Sequence, residues 1–119
     1  MKFLCLVYFE PKDMAALSQS EKVKLDRDSM AYDKELDRNG HFIVANALAP
    51  INTARTVRVR HRKASATDGP FAETKEQLGG FILINAANMD EAVEIAAGIP
   101  LAKLGSIEVR PIMQIGEGD

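Results

Sequence analysis

Phe3-Leu4-Cys5-Leu6-Val7-Tyr8-Phe9 is apolar at every position, not at alternate ones. Successive side chains of a strand point to opposite faces, so this segment is apolar on both. A strand of that kind is covered from two sides. Glu10-Pro11 ends it. The same pattern returns in Gly80-Phe81-Ile82-Leu83-Ile84-Asn85-Ala86. Two such strands in one sheet need cover on both faces.

Residues 12–40 read as helix, in one piece or two. Ser18-Gln19-Ser20-Glu21 fits a capping box. Leu25, Ser29, Tyr32 and Leu36 share a helix face, flanked by Met30. Asp26, Asp33 and the other charged residues, of mixed sign, read as the solvated side. Asn39-Gly40 supplies a left-handed stop. A second strand spans 41–48. Residues 54–61 and 64–67 form a hairpin turning near Arg62-Lys63, with Val57 and Val59 on one side and Arg58 and Arg60 on the other. A charged loop starts at Asp68-Gly69-Pro70, and 72–78 is expected to form a helical turn. After strand 80–86, Asn88 and Glu91 cap a short helix buried through Met89, Ala92, Val93 and Ala96. The last strand spans 106–115.

With the hairpin set aside, the order is strand, helix, strand, strand, helix, strand. This is the ferredoxin-like split βαβ arrangement, a single α+β domain over residues 1–119. Two helices cover only one face of its four-stranded sheet. The other apolar face predicts a two-fold homodimer with sheets packed face to face. Several hundred Å² buried at about 25 cal/mol per Å² offers on the order of 10 kcal/mol before association costs.

The 119 residues are 46% hydrophobic and 27% charged, with a net charge of −2, a balance that provides no general basic field for nucleic acid. The basic run 55–63 alternates with apolar residues and reads as the wet face of a strand. One cysteine, Cys5, excludes an internal disulfide and a cysteine metal site within one chain. It reads as a buried, inert thiol. The N-terminal apolar run is only strand length, and acidic and proline residues follow it where a cleavage site would lie. No segment approaches the roughly twenty apolar residues of a membrane span. The expected location is the cytoplasm.

The candidate site is the charged loop beside the apolar strands. Asp68 is the catalytic candidate: desolvation in an apolar cavity would raise its pKa and make it a base near neutrality. The opposing role is structural, with its carboxylate bonding backbone N–H groups of the turn. Glu73 and Lys75 follow on the loop, with Phe71 its aromatic. Arg58 and His61 lie on the hairpin. Tyr8 closes the first strand and can donate a hydrogen bond. Arg110, on the last strand, can bind a carboxylate bidentately. Together these seven form the expected ligand-binding set. His41 and His61 lack ligand spacing, and no phosphate-cradling loop exists, so no metal or cofactor is expected.

Met1–Tyr8, the block Thr67-Asp68-Gly69-Pro70-Phe71-Ala72-Glu73-Thr74-Lys75-Glu76-Gln77-Leu78-Gly79-Gly80-Phe81, Asp90-Glu91-Ala92 and Ile107–Pro111 together resemble the DGPF branch of the YCII-related proteins. The resemblance implies a dimeric α/β barrel on the ferredoxin-like fold. It also implies chemistry seen in some members: a proposed His–Asp pair, and in one relative a dehydrochlorinase activity. The histidine of that pair lies on the first helix. Residues 12–40 of this chain contain none, so the pair is not carried over.

Two functions follow as expectations. The first is a non-catalytic module that binds a small molecule or partner, with a regulatory role open to it. The second is a small-molecule enzyme, lyase- or dehydrochlorinase-like or a hydrolase, using acid–base chemistry at the Asp68 loop.

Overall fold

A computed structural model describes residues 1–116. Strand β1 (Lys2–Phe9) leads to a short helix α1 (Pro11–Ala15) and a long one, α2 (Gln19–Arg38). Then come β2 (Phe42–Ala47), the hairpin strands β3 (Arg55–Arg60) and β4 (Lys63–Asp68), β5 (Gln77–Asn85), α3 (Met89–Ala97) and β6 (Ser106–Pro111). Four strands form one antiparallel sheet in the order β2-β5-β1-β6, and β3-β4 form a separate two-stranded sheet. The fold is the α+β, ferredoxin-like arrangement with an inserted hairpin.

Local chemistry sets the helix ends. Ser18 Oγ accepts from the Glu21 N–H at 3.1 Å, and Glu21 Oε1 accepts from the Ser18 N–H at 2.8 Å. These bonds hold the Glu21 carboxyl below its ordinary pKa. Past the last turn of α2, Gly40 takes a left-handed φ of +80° and the His41 N–H bonds the Leu36 carbonyl at 2.8 Å. That closes the helix as a Schellman motif.

α2 and α3 lie on one face of the sheet. Phe3 and Cys5 of β1, with Ile82 and Ile84 of β5, are buried there against Leu36, Ala92, Ile95 and Ala96, and Val7 is buried further along β1. Burial pushes the Cys5 thiol up to about 11, which keeps it protonated and inert. The alternate residues Leu4, Leu6, Tyr8, Phe81 and Leu83 point to the opposite face, and none of them is buried.

Three expected elements differ. Residues 69–76 form an irregular loop, not a helical turn, and β5 begins early, at Gln77. Gln77 and Leu78 pair with Phe9 and Tyr8, so ladder pairing overrides a segment too short to nucleate a helix. On α3 the buried stripe is Ala92, Ile95 and Ala96, continued by Ile99, while Met89 and Val93 are exposed. The face is rotated toward the three-residue spacing. The Glu91 carboxylate of its cap bonds the N–H of Ala87, not of Asn88. The last strand stops at Pro111, short of the expected Ile115, with one more bond from the Ile112 N–H to the Lys2 carbonyl at 2.9 Å.

Candidate functional site

α2 is twenty residues long, yet only Leu36 of it is buried. The sheet beneath its middle is built from small residues: Ala45 and Ala47 of β2 and the Gly79-Gly80 pair of β5. The facing position on the helix is Ser29. Small residues on both sides leave a gap. A cavity of about 210 Å³ opens there, lined by Val7, Asp26, Ser29, Tyr32, Asp33 and Ile99 among others.

The floor depends on glycine. Tyr8 pairs with Leu78 and Val7 with Gly80, so Gly79 is an extra residue, a β-bulge. A Cβ at Gly80 would lie 2.9 Å from the Asn46 carbonyl oxygen. Any side chain there would wedge β2 away from β5.

The polar groups come from one helix face. Asp26, Ser29 and Asp33 are spaced three and four residues apart, the spacing that stacks side chains on a helix surface. Asp33 is half-buried, and burial raises its carboxyl pKa. Among the described residues it forms no ion pair to offset that. Tyr32 is committed elsewhere: its hydroxyl donates to the Ile95 carbonyl at 2.6 Å, tying α2 to α3. Burial, then the nearby Glu35 charge, raises its pKa as well. A half-buried carboxyl without a cation, beside a hydroxyl, can accept a hydrogen bond or a proton from a bound molecule.

None of the eight residues singled out in the sequence lines this cavity. Asp68 ends β4 with its side chain 92% exposed and its carboxylate 3.3 Å from Arg55 Nε, so it meets a guanidinium and not the turn's backbone N–H groups. Phe71, Glu73 and Lys75 are exposed on the loop. Arg58 is exposed on β3. His61 sits in the hairpin turn with φ of +53°. Tyr8 and Arg110 both lie on the uncovered sheet face. Tyr8 donates to Glu108 at 3.4 Å, and Arg110 is opposite Leu4, four residues away along β1. The structure brings this pair onto one surface and leaves the loop and hairpin residues outside it. Among the described residues, no three His, Cys, Asp or Glu side chains come together as a metal site. Among the described residues, no helix is long and apolar enough to cross a membrane.

From the sequence, Asp26 and Asp33 are both expected on the solvated side; Asp26 is exposed, and Asp33 is half-buried instead. The signal passed over was Ser29, a small polar residue in the middle of an apolar stripe, with carboxylates three residues before it and four after.

Comparison with known proteins gives three results. A family model, the YCII-related domain, matches residues 1–116. An uncharacterized protein of Rhizobium meliloti (strain 1021) is 36% identical over 121 aligned positions, which cover 100% of this chain and 98% of that protein. The solved structure of 5-chloro-2-hydroxyhydroquinone dehydrochlorinase from Burkholderia phenoliruptrix AC1100, in complex with 2,5-dihydroxybenzoquinone, matches with a TM-score of 0.57 at 17% identity over 100% of both chains. At that identity the last likeness establishes a common fold alone.

Proposed function

This chain belongs to the YCII-related family, and from that premise we propose that it is a small-molecule-binding protein whose ligand sits between α2 and the sheet. One observation carries the reading. The cavity pairs a small-residue floor with the half-buried, uncompensated carboxyl of Asp33. A volume near 150 Å³ is enough for a benzene ring. The 210 Å³ here therefore suits a single-ring compound. Asp33 and Ser29 suit a ligand that donates a hydrogen bond, such as a ring hydroxyl. The quinone bound in the dehydrochlorinase structure is also of one ring, which agrees in size with this reading.

The raised Asp33 pKa favours a second reading. A desolvated carboxylate is a better base than an exposed one, so a ring substrate bound with an acidic proton toward Asp33 would lose it there. Asp33 takes the role that the sequence gave to Asp68. The Asp68 loop stays a ligand-contact proposal only if it reaches the bound molecule.

The protein acts as a homodimer in this reading. Leu4, Leu6, Phe81 and Leu83 leave an apolar sheet face that a second copy would cover. The buried free thiol of Cys5 fits a reducing, cytoplasmic setting.

The test is a thermal-shift screen of hydroxylated single-ring compounds, with 2,5-dihydroxybenzoquinone as the first probe. Stabilisation of the wild type that disappears in Ser29→Leu, which fills the cavity, and weakens in Asp33→Asn supports binding there. Equal shifts in all three proteins would refute it. Product formation lost in Asp33→Asn while binding is retained would favour the enzyme.

A further inference from the structure

Among the described residues, nothing in its own chain covers the β3–β4 hairpin. Every residue from Arg55 to Asp68 is exposed except Thr56, which is half-buried. The two strands pair with each other and with no other strand. The chain leaves the edge strand β2 at Ala47 and re-enters the sheet at Gln77, so the hairpin projects as an arm. The Cα radius of gyration is 16.5 Å. A compact domain of this length has one near 13.5 Å.

Such an arm is not stable by itself. A lone two-stranded hairpin in water is marginal at best. This one has further defects. Its two-residue turn is His61-Arg62, both in the left-handed region with φ of +53° and +66°. A side chain with a Cβ is strained there, and Asn-Gly would be the relaxed choice. Arg60 is directly opposite Lys63, a like-charge pair that destabilises a ladder. The arm is also amphipathic. Val57 and Val59 share a face with Ala66 and Ala64, while Arg58, Arg60 and Lys63 occupy the other. Val57 and Val59 are 65% and 59% exposed.

Charge favours a second copy of the chain as the cover. Residues 55–68 carry five Arg or Lys and one Asp, a net +4. The whole chain is −2, which leaves −6 on the rest of the sequence. A basic arm and an acidic body in one chain are complementary between copies. An acidic body covers the arm's cations at no cost in a second kind of molecule. The arm also starts at a corner of the sheet whose open face is the proposed dimer surface, so a partner on that face lies within its reach.

We propose that the arm is an intersubunit clamp: Val57 and Val59 seat on the body of a second copy, and the cations at the arm's tip, from Arg60 to Lys63, meet that copy's carboxylates. This rests on the homodimer of the preceding section and adds that each subunit holds the other by an arm.

The test uses the full chain with a photo-crosslinking amino acid at position 59, in a mixture of isotope-labelled and unlabelled protein. The expected result is a crosslink joining labelled to unlabelled chains and ending on a body residue. Crosslinks only within one chain would overturn the clamp. Sedimentation of V57D/V59D provides the second readout, with a dimer dissociation constant raised at least about tenfold. R60E/K63E should weaken the dimer too, and its response to added salt should flatten. A dimer with unchanged affinity in both variants sinks the clamp and leaves the sheet-face dimer standing. A wild type that stays monomeric at about 100 μM, well above the range of specific association, sinks both. Retention of the arm by nucleic acid, abolished by R60E/K63E in a chain whose dimer is unaffected, would assign the cations to a different partner and also overturn the proposal.

Discussion

The Asp68 loop and the underside of α2 divide the molecule's chemistry unequally. The loop and adjoining hairpin concentrate charge: Asp68, Glu73, Lys75, Arg58 and His61 all lie there, and all are exposed. The underside of α2 holds less charge, but Asp33 and Ser29 are half-buried there against a floor of small residues, with Asp26 exposed at the rim. Water around an exposed ion damps every interaction it makes, whereas partial burial alone has moved Asp33. Charge density marks where a chain is polar. Enclosure marks where polarity can be used.

The largest expected effect separates the two regions by stability. Phe3 is 1% exposed in the core beneath the helices. Phe3→Ala should lower unfolding stability by about 3–5 kcal/mol, while Lys75→Ala on the loop should stay within about 0.5 kcal/mol. Urea unfolding followed by circular dichroism measures both. A loop substitution that costs as much as the core one would mean the loop is packed and not solvated.

A smaller effect sharpens the contrast through pH. Burial raises the Asp33 pKa in the folded protein above its unfolded value. The protonated form is the one the fold tolerates. Its contribution is therefore fully present below the unfolded value and lost as pH rises through the folded one. Asp33→Asn removes the charge. It should raise the melting temperature slightly at pH 7, and that gain should vanish as the pH falls to the ordinary carboxylate value. Asp68 is exposed and ion-paired to Arg55, so Asp68→Asn, which breaks that pair, should give no gain in melting temperature. A fall in melting temperature for Asp33→Asn at pH 7 would show that its charge is paired.

Much of the fold was legible because it depends on local rules. The unbroken apolar runs at 3–9 and 80–86, the Ser18–Glu21 box and Asn39-Gly40 each carry their own structural instruction, and together they order the elements. The cavity was not legible in that way. It arises where Ser29 of α2 faces Ala45, Ala47 and Gly80, and strand pairing joins Ala47 to Gly80 across more than thirty positions of sequence. Nor does the Asp68 block announce that it would be solvated. Its position depends on a hairpin that turns away from the sheet, and only the paired register of Arg55 with Asp68 reveals it.

The most direct test is amide chemical-shift mapping of the protein titrated with 2,5-dihydroxybenzoquinone or a ring phenol that the thermal screen identifies. Saturable shifts are expected at Ser29, Asp33, Gly79 and Gly80, absent in Ser29→Leu, with residues 70–75 unmoved. Saturable shifts confined to residues 68–76, with those four amides silent, would return the site to the charged loop and contradict it.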